Sequence, residues 1–172
     1  MPRGGVTGLM AEKFVIRDMR VEDRPAVERF MAGLNDFEMK FSPDRSPGEE
    51  IAEAHVDFLL GEVARLDGFT LIAEVDGKAA GFLLGYIDSL GDGDIHLREE
   101  FRRSGHISDV FVDPAYRRRG LTRAMLDEAE RRFKSKGLAW MDLSFVDAND
   151  GAEKTYRAAG FAPYERIFVK PL

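Results

Sequence analysis

Asp109-Val110-Phe111-Val112-Asp113-Pro114-Ala115-Tyr116-Arg117-Arg118-Arg119-Gly120-Leu121-Thr122 is the stretch that decides the fold. Ile107 to Val112 reads as a strand, and Asp113-Pro114 stops it, because proline brings no N–H to a ladder. Gly120 to Lys136 reads as a helix with Leu121, Met125, Ala129 and Phe133 on one face, ended by Gly137. A strand therefore runs through a tight turn into a helix start. Helix starts carry unpaired N–H groups and partial positive charge. Three arginines ahead of such an end are unfavourable unless an anion neutralises them. A diphosphate would accept both the N–H groups and the guanidinium charge. Gly120 has no Cβ and lets the backbone approach such a ligand closely.

The charge distribution points the same way. The net charge is −6, yet Tyr116 to Lys136 carries eight Lys/Arg and three Asp/Glu, a local +5 in a chain whose remainder is −11. Focused positive charge suits an anionic ligand, and the acidic remainder suits a cationic second one. Generic nucleic-acid binding does not fit this balance. Rival phosphate motifs are missing: there is no G-x-x-x-x-G-K-[ST], and no G-x-G-x-x-G opens a helix. Gly91-Asp92-Gly93-Asp94 has the wrong spacing for a calcium loop.

With 172 residues, 44% hydrophobic and 33% charged, the chain fits one globular domain. It has no cysteine, which excludes disulfides, a thiol nucleophile and a Cys-based zinc site. No apolar run approaches the ~18 residues of a membrane span, and the start does not read as a signal peptide. Residues 1–11 read as a flexible leader and 12–172 as the domain, with a cytoplasmic location and no membrane or nucleic-acid partner expected.

The remaining elements follow from periodicity. Lys13–Arg17 reads as a strand, Val21–Leu34 as a helix, 36–48 as a loop, and Glu49–Leu66 as a second helix. Phe69–Glu74 and Ala79–Ile87 flank an Asp76-Gly77 turn and read as a hairpin. Asp88–Gly105 reads as an irregular loop. Leu138–Val146 reads as a strand, Asn149–Ala159 as a short helix, and Phe161–Val169 as a final strand or pair of strands. The order predicts an α/β or α+β domain with a mixed sheet.

Three spaced motifs carry a family resemblance. Arg117-x-x-Gly120-x-Thr122 is similar to the [Q/R]-x-x-G-x-[G/A] cofactor motif of the GCN5-related N-acetyltransferases, with Thr122 where Gly or Ala is usual. Val112-Asp113-Pro114-Ala115-Tyr116 resembles that family's V-x-P-x-[Y/F], and Asn149, Tyr156, Gly160 and Phe161 resemble its N-x(6)-Y-x(3)-G-F. The resemblance is best from Ile107 to Phe161. It implies a single domain with a central mixed, mostly antiparallel twisted sheet flanked by about four helices. It implies acetyl-CoA as cosubstrate, no metal, and transfer of an acetyl group to a primary amine, on a small cationic molecule or a protein, by direct attack.

By that resemblance the backbone of Val110, Phe111 and Val112 would hold the pantetheine arm, and Arg117, Arg118, Arg119, Gly120, Leu121, Thr122 and Arg123 the diphosphate. Asn149 would contact the cofactor near the thioester arm. Tyr156 would be the general acid, although Ala152, Tyr156 and Ala159 share a helix face and packing is the competing reading. Some relatives carry Glu five residues before the Asn; here that position is Ser144. Asp109 leads for the general base, directly or through water. Asp142, His96 and His106 remain alternatives, and His55 falls on an apolar helix face. A homodimer is expected through the final strand. The competing function is a non-catalytic acyl-CoA-binding sensor, which Thr122 and Ser144 favour and Tyr156 opposes.

Overall fold

A hairpin fixes the centre of the sheet. Asp76 and Gly77 both adopt positive φ, 48° and 75°, the handedness a two-residue turn needs to match strand twist. They join β2 (Phe69–Val75) to β3 (Lys78–Ser89). With β1 (Phe14–Asp18), β4 (Arg103–Val112) and β5 (Met141–Leu143) these make one sheet in chain order. The first four strands pair antiparallel and β5 runs parallel to β4. The computed structural model describes residues 14–172. The leader expected over 1–11, and Lys13 of the first strand, lie outside the described residues.

Among the described residues four α-helices cover the sheet: α1 (Arg24–Glu38), α2 (Gly48–Arg65), α3 (Leu121–Ser135) and α4 (Asp150–Ala158). Successive strand residues point to opposite faces, so the core splits in two. Ile72, Phe82, Leu84 and Phe111 pack on Val27, Phe30, Met31, Val56 and Leu59 of α1 and α2. Leu71, Ala73, Leu83 and Ile107 pack on Leu121, Met125, Leu126, Ala129 and Phe133 of α3. Glycines permit close approach: the Phe133 ring fills the place of a Gly105 Cβ, and a Cβ on Gly48 would meet the Ala32 backbone.

Four expectations are corrected. α1 runs past Leu34 to Glu38, because Phe37 continues the helical period, so the loop begins at Met39. β4 starts at Arg103, where it pairs with Ser89, and shortens the expected loop. The strand expected over Leu138–Val146 shrinks to Met141–Leu143, since its ladder with β4 ends at Ile107↔Leu143. The final strand expected over Phe161–Val169 is not formed. Ile167, Phe168 and Val169 are about nine-tenths exposed and join no ladder, and β-prone residues need a neighbouring strand to become one.

Candidate active site

The site opens where β4 and β5 part. Past Ile107↔Leu143, residues 108–112 of β4 have no strand partner on the β5 side among the described residues. That edge presents backbone N–H and C=O groups. Across the gap the chain passes Phe145 into α4, whose Tyr156 packs on Phe145 (ring centroids 5.5 Å) and Phe161 (6.1 Å).

A bulge sets which side chains face the cleft. Leu84 pairs with Asp109 and Gly85 with Ile107, leaving Ser108 as the extra residue. The bulge changes the strand's parity. Ile107 therefore joins the α3 core while Phe111 joins the α1–α2 core. The Ser108 hydroxyl donates to Asp109 Oδ2 at 2.7 Å.

Three acidic groups from three elements converge here. Burial raises the Asp109 pKa above the usual carboxylate range, opposed by the Ser108 hydrogen bond and by His55, His106 and Arg45. Burial also raises Glu38, at the end of α1; Arg45 pulls it down and Asp109 pushes it up. Tyr156 is pushed up to about 12, first by burial and then by the negative charge of Glu38 and Asp109. Its hydroxyl thus stays protonated through neutral pH, while Asp109 is a stronger base than an exposed aspartate.

The other candidates fall elsewhere. His106 Nδ1 meets Asp142 Oδ1 at 2.7 Å across β4 and β5. That contact raises His106 above its ordinary pKa. Burial works to raise Asp142, but His106 and Ser104 outweigh it and the net shift is downward. The two form a clasp at the closed end of the gap. His96 pairs with Asp94 in the segment before β4. His55 stacks on Phe58, ring centroids 6.2 Å apart.

The turn after β4 is shaped for an anion by its backbone. Arg118 and Gly120 adopt positive φ, 64° and 81°. Left-handed residues in such a turn gather successive N–H groups into a concavity. α3 starts beyond Gly120 with no side chain capping it, so its first N–H groups point outward. The arginine side chains have other contacts. Arg117 Nε donates to Val112 O at 3.1 Å, and its guanidinium lies over Phe37 (5.6 Å) and Phe111 (5.5 Å), bracing the turn against α1. Arg119 donates to Ala115 O and covers Tyr116. Arg123 bridges α3 to α4 through Ala158 O at 2.8 Å. Arg118 is exposed. Asn149 caps α4, its Oδ1 accepting from Ala152 N at 3.1 Å.

Of the residues expected from sequence, Asp109 and Tyr156 lie within electrostatic reach of each other, and Glu38, Ser108 and Phe145, which were not expected, adjoin them. The 3–4 spacing Phe30, Leu34, Phe37 was the available signal that α1 reaches Glu38. An open cavity of about 410 Å³ lies between α3 and α4, lined by Arg123, Lys154, Thr155, Ala158 and Ala159. Another of about 410 Å³, lined by Asp23, Arg29, Asp113 and Tyr116 among others, lies away from Asp109 and Tyr156. Among the described residues no group of three or more His, Cys, Asp or Glu is placed to hold a metal, and no helix is long and apolar enough to cross a membrane.

Comparison with known proteins adds independent findings. The profile of the Acetyltransferase (GNAT) family matches residues 32–161. An uncharacterized N-acetyltransferase of Methanocaldococcus jannaschii is 33% identical over 101 residues, 59% of this chain but only 42% of that protein's length. An uncharacterized N-acetyltransferase of Lactobacillus delbrueckii subsp. lactis is 26% identical over 163 residues, 90% of this chain and 89% of its own. An aminoglycoside N-acetyltransferase solved in complex with CoA shares the fold at TM-score 0.67 and 21% identity, covering 100% of this chain and 98% of that one.

Proposed function

The chain belongs to the GNAT acetyltransferase family, and on that premise we propose that it is an acetyl-CoA-dependent N-acetyltransferase acting on a primary amine by direct attack. The observation that carries this reading is the free β4 edge with a raised Asp109 on it and a protonated Tyr156 across the gap. The residues fit the cosubstrate. An uncapped α3, the left-handed Arg118 and Gly120, and open space around Gly120 suit a diphosphate. The unpaired edge of Val110, Phe111 and Val112 suits an extended amide-bearing arm, taken as an added strand.

Acetyl-CoA supplies an acetyl group activated as a thioester. Backbone N–H groups from Arg118 to Arg123 hold its diphosphate. Arg117 acts at one remove, by bracing the turn on Phe37 and Phe111. The Thr122 hydroxyl, at the second residue of α3, adds a donor where relatives carry Gly or Ala. The Asn149 cap leaves its amide nitrogen for the arm. Backbone N–H groups on β4 polarise the thioester carbonyl. Asp109 takes a proton from the amine, directly or through water, and Tyr156 gives its proton to the departing sulfur.

The acceptor is a small cationic amine or a protein amino group, favoured by the acidic remainder of the chain. The exposed run Ile167, Phe168 and Val169 supports a homodimer, and a chain without cysteine suits a cytoplasmic location. The chemistry calls for no metal, nucleic acid or membrane. The second reading, an acyl-CoA sensor, is separated by one experiment. Thiol release from acetyl-CoA is followed across a panel of amines, with CoA affinity measured alongside. Amine-dependent release is expected; tight CoA binding with no release by any amine would favour the sensor.

A further inference from the structure

Glu38 is an unusual place for a carboxylate. It ends α1, where the helix dipole is already negative, and the last turn of α1 carries no basic residue. Its side chain is only 20% exposed and lies within electrostatic reach of both Asp109 and Tyr156. Such a concentration of negative charge calls for a cation. Arg45, from the loop between α1 and α2, supplies one, with Nη2 at 3.2 Å from Glu38 Oε2.

This pair differs from the ion pair that ties β1 to the start of α1. Arg17 grips Asp23 through two contacts of 2.6 and 2.8 Å, with both side chains at most 16% exposed. Arg45 makes one long contact and is 45% exposed. A single half-exposed contact of that kind is worth little and exchanges readily. The loop itself is pinned, by Asn35 Nδ2 donating to Ser46 O and by Gly48 N donating to Asp36 Oδ1 at 2.7 Å. Only the arginine side chain has to move for Glu38 to take another cation.

We propose that Glu38 is the specificity-determining carboxylate of the acceptor site, that Arg45 occupies its cation position at rest, and that the enzyme selects acceptors bearing a second cationic group near the reacting amine. The inference rests on the acetyltransferase reading, with Asp109 serving the reacting nitrogen and Glu38 the second charge. Arg45 gives way to the incoming cation, so the negative pocket is neutralised in both states.

The test uses the full chain and two acceptors, 1,4-diaminobutane and n-butylamine, with thiol release as readout and CoA affinity as control. Wild type should prefer the diamine by about tenfold or more in kcat/KM, equivalent to ~1.4 kcal/mol. Glu38→Gln should erase that preference by raising the diamine KM far more than the butylamine KM, with CoA affinity within about twofold. Arg45→Ala should lower the diamine KM, because the internal competitor is gone. Equal losses for both amines in Glu38→Gln, or no preference in wild type, would overturn the proposal while leaving the acetyltransferase reading intact. Failure of both amines, in protein that acetylates another amine of the panel, would overturn the proposal alone; no release by any amine, in protein that binds CoA, would overturn both.

Discussion

The proposed cofactor half and the proposed acceptor half of the cleft are built differently. The former is one continuous stretch, β4, turn and α3, and what it offers a ligand is backbone N–H and C=O held by regular structure. The acceptor half is assembled from α1, the α1–α2 loop and α4, and its ligand groups are side chains whose charge depends on burial. A backbone site tolerates side-chain change but not a change of path or charge at the turn. A side-chain site fails one function at a time.

The strongest way to break this contrast is Gly120→Glu. A Cβ there meets nothing within 4 Å, so the fold should survive, with strain of about 1–2 kcal/mol from a non-glycine residue at φ 81°. A carboxylate at the diphosphate should cost more than about 100-fold in CoA affinity by calorimetry, near 2.7 kcal/mol. Gly120→Ala carries the strain without the charge and should lose far less. Retained affinity in a folded Gly120→Glu protein would remove the diphosphate from this turn.

Tyr156→Phe probes the opposite wall. It keeps the ring that packs on Phe145 and Phe161 and removes only the hydroxyl. A lost general acid should lower kcat by about 100-fold with CoA affinity unchanged. An unchanged kcat would make Tyr156 a packing residue and move the acid elsewhere.

The same contrast explains what was legible in the sequence. The turn could be read because its groups are local: Pro114 stops a strand, Gly120 starts a helix, and the arginines lie between them. Two-residue turns and helix stops are likewise local, so β2, β3 and α3 fell close to their expected positions. Glu38 could not be read as a site residue, because its meaning comes from Asp109 and Tyr156, far along the chain. Ser108 lies in a bulge, which depends on register with β3 rather than on the composition of β4. The run Ile167-Phe168-Val169 reads as a strand, but sequence does not say whether a ladder is there to receive it.

Asp109→Asn sharpens the contrast through pH. The folded pKa of Asp109 lies above its unfolded value, so the folded state holds that proton more tightly. Its contribution to stability is full below the ordinary aspartate range and is lost as pH rises through the folded value. Asparagine never charges, so the variant should be more stable than wild type near pH 7, by about 1 kcal/mol, with no gain at acid pH. Urea unfolding at the two pH values measures this. In turnover, the wild-type rate should rise with pH as Asp109 loses its proton, and the variant should be slower by about tenfold with that limb flattened. Parallel stability curves and parallel rate profiles would return the base to another group.

The smallest effect belongs to the clasp that closes the gap between the halves. His106 and Asp142 meet one register position before the β4–β5 ladder ends. His106 is raised from 6.5, so its contribution is full below that value and fades as pH rises through the folded one. Asp142 is lowered from 3.8, so its contribution is full above that value and fades as pH falls through the folded one. The clasp is therefore complete between those two ordinary values. The side chains are 26% and 37% exposed, and water screens the pair to under about 1 kcal/mol. Asp142→Asn should lower stability by that amount near pH 5.5 and by almost nothing near pH 9, where His106 is neutral in both proteins. An equal loss at both pH values would mean that Asp142 acts through its hydrogen bonds rather than its charge, and that the closed end of the cleft is indifferent to ionisation.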